Sequence, residues 1–349
     1  MRAALLWIAA VLLSAHVAIA QPAQRRGEWI APEFRFHTGE TLPNLRLGYI
    51  TLGDPANPAV LVLHGTAGRA ENSLAQPFGG HLFGPGQPLD ATRYFIILPD
   101  ALGTGASARP SEGMRAAFPR YNYADMVLAQ HRLVTEGLGI RRLRLILGNS
   151  MGGMHAWVWA TTYPDMMDAI VPLASQPTGM AARNWMLRRM LVESIRQDPA
   201  YQGGNYTQQP PSLRLANVFY GIATNGGTLA YQAAAPDRAS ADALVEQRLA
   251  TPMTMDANDF VYQWDASRDY DPEPHLGRVR ARVLAINAAD DERNPPETGV
   301  TEAAIARIPG ARLVVIPPGP QTRGHATTGN AATWVGELRA FMAALPPPE

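Results

Sequence analysis

The feature that most constrains the fold of this 349-residue chain is an apolar run that leads directly into a glycine-x-serine-x-glycine turn. Residues 143–147 form the run, residues 148–152 read G-N-S-M-G, and residues 154–163 follow with helical periodicity. A strand that turns this sharply into a helix presents the central serine at the strand's end. Ser150 is therefore a candidate nucleophile, provided that a histidine base lies close by.

The composition indicates a folded protein with a large core and no affinity for polyanions. Its 349 residues are enough for one large α/β domain with an insertion or for two domains. Hydrophobic residues make up 46% of the chain and charged residues 17%, so a sizeable core can be buried. The 30 basic and 30 acidic residues cancel, so no electrostatic footprint for nucleic acid is visible. The chain has no cysteine, which excludes disulfides, thiolate metal sites and a cysteine nucleophile.

Residues 1–20 have the pattern of a signal peptide. A positively charged start is followed by an apolar stretch, and Ala18, Ile19 and Ala20 form an A-x-A cleavage site. We expect cleavage after Ala20, export to the periplasm or the medium, and no membrane association once the leader is removed. An uncleaved membrane anchor is the alternative. The polar residues 21–30 are expected to form a mobile arm.

Short runs rich in Val, Ile and Leu alternate with helical patterns along much of the chain, as in sheets that are buried on both faces. The predicted strands are residues 45–52, 59–63, 94–98, 143–147, 169–173, 282–287 and 313–316. Outside the long interruption described below, the predicted helices are residues 123–138, 154–163, 298–308 and 331–344. This alternation predicts a mostly parallel, doubly wound sheet.

The alternation is interrupted by a long segment without a strand pattern. Residues 182–197, 212–222, 241–249 and 256–267 all have helical patterns. Because open α/β sheets bind ligands at the carboxyl ends of their strands, we interpret this segment as a helical lid over those ends. The expected organisation is a signal peptide (1–20), a core (21–175), a lid (176–270) and the rest of the core (271–349).

A serine nucleophile on such a sheet needs an acid and then a histidine later in the chain. His325 lies in the loop directly after the last predicted strand, whereas His275 precedes a strand and would be displaced from the strand ends. Either Asp290 or Asp291, after the penultimate strand, could orient the imidazole. No histidine lies close in sequence to these acids, so a metal site there is the weaker alternative.

The negative charge that develops during acyl transfer needs two backbone N–H donors. One is expected from Met151, directly after the serine, and the other from Thr66, in the loop after the strand at residues 59–63. His64, in the same loop, is interpreted as a structural anchor. Residues 100–107 lack the spacing of a phosphate-binding loop and are interpreted as a tight turn beside the site.

Longer motifs resemble those of the homoserine O-acetyltransferase family of α/β-hydrolases over nearly all of the sequence after residue 20. The matching segments are 84–95 (G-P-G-Q-P-L-D-A-T-R-Y-F), 125–130 (D-M-V-L-A-Q), 148–154 (G-N-S-M-G-G-M), 198–206 (D-P-A-Y-Q-G-G-N-Y) and 255–262 (M-D-A-N-D-F-V-Y). The resemblance implies an α/β-hydrolase fold. Residues 291–297 resemble the family's D-x-L-F-P-P-E, which favours Asp291 over Asp290 as the acid. Gly324 and His325 match the family's G-H, whose histidine is the base.

Two departures from the family concern charged residues that the resemblance implies hold an amino acid substrate. The family has an aspartate where Ala326 stands and an arginine where Val192 stands. A site that has lost these groups should bind homoserine poorly. Predicted export indicates the same, because homoserine and acetyl-CoA are cytoplasmic metabolites.

The sequence therefore predicts a serine hydrolase that cleaves a carboxylic ester or related acyl compound through an acyl-enzyme. Ser150, His325 and Asp291 are its candidate catalytic residues, with Met151 and Thr66 in the oxyanion hole. An acyl-CoA-dependent O-acyltransferase and a non-catalytic binding protein are the alternatives. The expected partner is a small-molecule ester or acyl substrate, and no metal or organic cofactor is implied. The resemblance suggests a homodimer through the lid helices.

Overall fold

A computed structural model of the protein describes residues 23–347. The predicted signal peptide, residues 1–20, and its cleavage site after Ala20 lie outside the described residues. Among residues 23–347, no helix combines the length and the apolar character needed to cross a lipid bilayer.

The described residues form one eight-stranded sheet. Its strands are β1 (Gln24–Arg35), β2 (Thr41–Leu52), β3 (Ala59–Leu63), β4 (Phe95–Pro99), β5 (Leu143–Asn149), β6 (Ala169–Leu173), β7 (Arg282–Ala288) and β8 (Arg312–Ile316). The strand order is β1-β2-β4-β3-β5-β6-β7-β8. Strand β2 is antiparallel to both neighbours, and all pairings from β4 to β8 are parallel. The predicted mostly parallel, doubly wound sheet is confirmed.

Helices cover both faces of the sheet. They are α1 (Tyr123–Arg132), α2 (Met151–Thr162), α3 (Ala182–Arg196), α4 (Ser212–Thr224), α5 (Thr228–Ala234), α6 (Arg238–Ala250), α7 (Ala257–Asp265), α8 (Val300–Ile305) and α9 (Val335–Ala344). Because side chains alternate along a strand, Val60 and Val62 of β3 enter the core that includes α9. Leu61 and Leu63 enter the opposite core, which includes α2 and α8.

The expectation of a mobile arm at residues 21–30 is wrong for the residues that the structure describes. Strand β1 begins at Gln24 and pairs with β2 along its whole length, from Gln24 opposite Leu52 to Arg35 opposite Thr41. Only Ala31 and Phe34 of β1 are buried. The backbone ladder to β2, rather than burial of side chains, therefore holds this polar edge strand, and hydrophobic patterning does not reveal it.

Five helices, α3 to α7, lie between β6 and β7, in the segment for which the sequence predicts a helical lid. Helix α5, directly after Gly226 and Gly227, was not predicted because its seven residues include none that is buried. Helices α3, α4 and α7 pack around their own apolar cluster, which includes Leu191, Leu213 and Phe260.

The sheet brings four loops together at the carboxyl ends of its parallel strands. Leu63, which ends β3, pairs with Gly148 of β5, and Ala288, which ends β7, pairs with Ile316 of β8. The strand order reverses at β3, whose neighbours are β4 and β5. Open α/β sheets form a ligand-binding crevice outside such a reversal point.

Candidate active site

Ser150 occupies the strained turn between β5 and α2. Its backbone φ is 56°, which is uncommon for a residue with a side chain, and its N–H donates to the carbonyl oxygen of Leu173 at 2.9 Å. A Cβ on Gly148 would lie 2.0 Å from the carbonyl oxygen of Gly152. A Cβ on Gly152 would lie 2.2 Å from the carbonyl oxygen of Leu63. Both glycines are therefore required by close backbone approach.

A continuous chain of hydrogen bonds joins Ser150, His325 and Asp291. Oγ of Ser150 lies 2.8 Å from Nε2 of His325, and Nδ1 of His325 lies 2.9 Å from each carboxylate oxygen of Asp291. All three side chains are buried. The structure thus brings together the serine, histidine and aspartate that the sequence identifies as candidates.

The surroundings of His325 and Asp291 favour a neutral imidazole beside an ionised carboxylate. Burial lowers the pKa of His325 despite the opposing effect of Asp291. Burial alone would raise the pKa of Asp291, but the electrostatic interaction with His325 and hydrogen bonds from His325 and Asn294 lower it. Because an ionised carboxylate only accepts, Nδ1 of His325 donates to Asp291 and Nε2 accepts from the Ser150 hydroxyl. That arrangement is suited to general-base catalysis.

The carboxylate of Asp291 is held by three further hydrogen bonds. Its Oδ1 accepts from the backbone N–H groups of Arg293 at 2.8 Å and Asn294 at 3.2 Å. Its Oδ2 accepts from the side-chain amide of Asn294 at 2.9 Å, and the same amide donates to the carbonyl oxygen of Ala174. These contacts fix the direction in which Asp291 faces the imidazole.

Two other acids position the histidine loop. Oδ2 of Asp290 accepts from the hydroxyl of Thr322 at 2.8 Å and from the N–H of Gly324 at 3.2 Å. Glu292 accepts from the N–H of His325 at 3.1 Å. The alternative acid, Asp290, therefore contacts the backbone of the loop rather than the imidazole. The role of Glu292 was missed, and its place in the acidic run after β7 was the only signal.

Two backbone N–H groups next to Ser150 in the structure have no acceptor within residues 23–347. Met151 begins α2, so its N–H has no intrahelical partner. The N–H of Thr66 donates no hydrogen bond to any residue in the described range 23–347. A Cβ on Gly65 would lie 3.5 Å from Cβ of Ser150, so the loop after β3 is directly beside the serine. Such donors can stabilise a negatively charged oxygen.

His64 fixes the orientation of that loop. Nδ1 of His64 donates to the carbonyl oxygen of Gly65 at 2.8 Å, and Nε2 accepts from the N–H of Ala101 at 3.0 Å. Burial lowers the pKa of His64, in keeping with a neutral ring that donates once and accepts once. In a trans peptide the N–H of Thr66 points away from the carbonyl of Gly65. The contacts of His64 therefore set the direction of the Thr66 donor.

The alternative base, His275, lies apart from these catalytic candidates, because it is exposed in the turn before β7. His155 and Trp157 of α2 are buried in the core. The carboxylate of Asp100 accepts from the N–H groups of Ala70 and Ala106 and so closes the turn at residues 100–107. Among residues 23–347, no three His, Asp or Glu side chains cluster in a way that could hold a metal ion.

Comparison with known proteins identifies the family. Residues 58–321 match the model of the alpha/beta hydrolase fold family. The chain belongs to this family. It is 34% identical to a homoserine O-acetyltransferase of Thermobifida fusca over 231 residues. This aligned region covers 58% of this chain and 60% of that enzyme's length. It is 34% identical to a homoserine O-acetyltransferase of Solidesulfovibrio magneticus, covering 79% of this chain and 72% of the enzyme.

Other relatives of this α/β hydrolase agree with that assignment. A probable acyltransferase of Methanothermobacter thermautotrophicus is 30% identical, covering 81% of this chain and 88% of the relative. A homoserine O-acetyltransferase structure from Bacillus anthracis superposes with a TM-score of 0.81 at 22% identity, covering 92% of this chain and 98% of that one. An acetylester hydrolase structure from Corynebacterium glutamicum superposes with a TM-score of 0.79 at 22% identity, covering 92% and 96%.

These matches confirm both the α/β-hydrolase fold and the resemblance to the homoserine O-acetyltransferase family. The protein is accordingly an enzyme of the hydrolase or acyltransferase type. The two kinds of activity differ in the acceptor of the acyl group, which is water in a hydrolase and a second substrate in a transferase.

Proposed function

We propose that this enzyme is a serine hydrolase that cleaves a carboxylic ester or related acyl compound through an acyl-enzyme. The observation that carries the proposal is the buried chain from Ser150 through His325 to Asp291, with 2.8 Å between the hydroxyl and the imidazole. A serine that can pass its proton to a neutral imidazole becomes a nucleophile at neutral pH.

The proposed reaction has two balanced halves. Oγ of Ser150 bonds to the acyl carbon while its proton moves to Nε2 of His325, and Asp291 stabilises the imidazolium. The N–H groups of Met151 and Thr66 hold the oxyanion. The bond to the alcohol then breaks, and His325 returns the proton to the leaving oxygen. Water repeats the sequence on the acyl-enzyme and releases the carboxylic acid.

The departures from the family favour water over homoserine as the acceptor. Val192 and Ala326 stand where the family's charged residues are expected to hold an amino acid. An amino acid without charged partners competes poorly with water for the acyl-enzyme. Export after cleavage at Ala20 is part of the same proposal. Mass spectrometry of the enzyme recovered outside the cytoplasm should find Gln21 at its N-terminus, and a chain that retains residues 1–20 would contradict export.

An acyl-CoA-dependent O-acyltransferase is the second candidate, because relatives with 30–34% identity are named acyltransferases. Acetyl-CoA and homoserine, supplied together, separate the two activities. We expect hydrolysis of simple acetate esters to be faster than formation of O-acetylhomoserine. Faster transfer than hydrolysis would reverse the order of the two candidates.

The principal test is labelling with a fluorophosphonate, which reacts with activated serines. We expect one labelled residue, Ser150, and loss of both labelling and ester turnover in Ser150→Ala. Ser175→Ala is the matched control, because Ser175 is a buried serine after β6 whose hydroxyl has no hydrogen-bond partner within residues 23–347. A folded wild-type enzyme that is neither labelled nor active on any ester would refute the proposal.

A homodimer through the lid helices is also a proposal. Four large apolar side chains on α3 and α4 are more than half exposed: Met186, Met190, Leu215 and Phe219. Exposed apolar patches of this kind are typical of protein interfaces. We expect light scattering to give the mass of a dimer for the wild-type enzyme and the mass of a monomer for Phe219→Glu. A monomeric wild type would refute the dimer.

A further inference from the structure

Two arginines of the lid region and the adjoining loop are buried without a carboxylate partner. Arg188, on α3, is 1% exposed, and Arg293, in the loop after β7, is 8% exposed. Their neighbours on α3 behave differently, because Arg189 pairs with Glu193 and Arg196 pairs with Asp265. Within residues 23–347 no acidic oxygen lies within 4.0 Å of either buried guanidinium. Buried charges in proteins are normally paired, so these two call for a counter-ion.

Most of the hydrogen-bonding capacity of the two guanidinium groups is unused. Arg188 donates to the side chains of Asn184 at 3.0 Å and Ser267 at 3.2 Å. Arg293 donates to the hydroxyl of Thr224 at 3.2 Å. Each guanidinium has five N–H donors. The hydroxyls of Tyr123 and Tyr220 interact with Arg188 and raise its pKa, but neither forms a hydrogen bond of good geometry, and no further hydrogen bond joins the two guanidinium groups to residues 23–347. The pair therefore presents a surplus of donors.

Aromatic side chains surround the pair and add to the surplus. The guanidinium of Arg188 lies 5.0 Å from the centre of the Trp264 ring, and that of Arg293 lies 5.5 Å from the same ring and 4.8 Å from Tyr220. The indole N–H of Trp264 and the hydroxyl of Tyr220 are buried without a partner in the described part of the chain. A group that satisfied all of these donors would have to be rich in acceptors and negatively charged. A carboxylate has these properties, and it matches the planar fork of arginine.

The cluster adjoins the proposed catalytic residues. Arg293 follows Asp291 by two residues and donates its backbone N–H to the Asp291 carboxylate. Burial is the largest effect that lowers the pKa of His325, and Asp291 opposes it. The positive charges of Arg293 and Arg188 lower this pKa further. Arg188 also lies one helical turn before Val192, and both are buried on α3. A guanidinium is therefore present near the position of the family's arginine, but it comes from a different residue.

We propose that Arg188 and Arg293 form a subsite that binds a carboxylate of the ester substrate beside Ser150. This inference rests on the ester hydrolase activity proposed above. The nearby acids Asp290 and Glu292 accept from backbone N–H groups, and Ala326 stands where the family has an aspartate. The substrate class is therefore an ester with a free carboxylate and no ammonium group: a half-ester of a dicarboxylic acid or an O-acyl hydroxy acid.

Matched pairs of esters test this subsite and identify the half of the substrate that carries the carboxylate. Mono(para-nitrophenyl) glutarate is compared with para-nitrophenyl pentanoate for the acyl half, and O-acetyl-lactate with isopropyl acetate for the alcohol half. We expect kcat/KM to favour the anionic ester in one pair by roughly 10- to 100-fold, mainly through KM. Arg188→Met and Arg293→Met should each remove most of that preference. A wild-type enzyme without preference for either anionic ester would overturn the proposal.

Arg189→Met is the matched control, because it makes the same chemical change on the same helix at an exposed position. The control should leave the preference for the anionic ester unchanged. A purely structural role for Arg188 predicts a lower melting temperature in Arg188→Met with an unchanged preference, and that result would also overturn the proposal. If Arg188→Met does not fold, the wild-type preference and Arg293→Met decide.

Ligand binding without turnover separates this proposal from the hydrolase proposal. Glutarate or lactate should raise the melting temperature of the wild-type enzyme, whereas glutaramide and lactamide should not. Carboxylate-dependent stabilisation without hydrolysis of any ester would refute the hydrolase and support the subsite. Ester hydrolysis without any dependence on a carboxylate, in turnover or in melting, would support the hydrolase and refute the subsite.

Discussion

The carboxyl edge of the sheet and the helices above it use buried polar groups in opposite ways. At the edge, the acid Asp291 has hydrogen bonds on both carboxylate oxygens, and Asp290 and Glu292 bind backbone N–H groups. On the lid side, Arg188 of α3 and Arg293 of the loop after β7 are buried with most of their donors unused. Arg293 belongs to this side through its contacts with Thr224 and Tyr220 of α4. The acids at the edge are thus satisfied by the protein itself, whereas the guanidinium groups on the lid side retain donors for a further acceptor.

This difference indicates that the sheet edge carries out the reaction and that the lid side selects the substrate. A reaction shared by many relatives requires a fixed arrangement, which the parallel strands and their loops provide. Substrate choice requires groups that only a ligand satisfies, and a helical insertion can change such groups without altering the sheet. The predictions below test whether the edge is as rigid, and as separate from the lid, as this comparison implies.

The largest expected effect separates two neighbouring acids at the edge. Asp291→Asn keeps the shape of the side chain but removes the charge that stabilises the imidazolium, so kcat should fall by about 10⁴-fold. Asp290→Asn changes only a contact to the loop, and its effect should stay within about tenfold. Steady-state kinetics on a neutral ester measures both. A larger loss in Asp290→Asn would transfer the role of the acid to that residue.

The second prediction tests the rigidity of the serine turn. A methyl group on Gly152 would overlap the carbonyl oxygen of Leu63, 2.2 Å from the new carbon, so Gly152→Ala should lower the free energy of unfolding by about 3 kcal/mol. Gly336 of α9 has nothing within 4 Å of an added Cβ. Gly336→Ala should therefore raise the free energy of unfolding by about 1 kcal/mol. Chemical denaturation measures both, and equal stability of the two variants would contradict the close approach at Gly152.

The same division explains how much of the molecule the sequence could predict. Ser150, His325 and Asp291 each follow a short apolar strand, and parallel strands bring their ends to one edge regardless of the helices between them. Strand β3 was predicted with its observed bounds because all five of its residues are buried. Residue order and hydrophobic periodicity therefore suffice for the parallel strands β3 to β8 and for Ser150 and His325. The choice of Asp291 over Asp290 came from the resemblance to the family.

The features that the sequence did not predict depend on contacts between distant segments. Strand β1 is polar and is held by its ladder to β2. The pairing of Glu292 with the His325 loop joins residues that are 33 positions apart. Arg188 and Arg293 meet around Trp264, and each alone has the sequence appearance of an ordinary charged residue. No local sequence pattern encodes such packing. The cluster on the lid side can therefore be found only from the three-dimensional structure.

The third prediction concerns the loop that carries the Thr66 donor. His64→Phe keeps a ring of similar size but removes the hydrogen bonds to Gly65 and Ala101. A misdirected oxyanion donor should lower kcat by about 10- to 100-fold with little change in KM. His131→Phe is the control, because the ring of His131 stacks on Tyr163, away from the β3 loop. An equal loss of kcat in both variants would show that His64 acts only through general stability.

The smallest expected effect links the two regions through the charge on the lid side. Since burial lowers the pKa of His325, and only the neutral imidazole accepts the serine proton, kcat/KM should fall with decreasing pH at an inflection below 6.5. The positive charge of Arg293 disfavours the protonated imidazole, so Arg293→Met should raise the pKa of His325 and move the inflection to higher pH. A neutral ester keeps substrate charge out of this comparison, and Arg189→Met should leave the inflection in place. If the inflection in Arg293→Met coincides with that of the wild-type enzyme, the two regions are electrostatically independent, and the lid acts on the substrate alone.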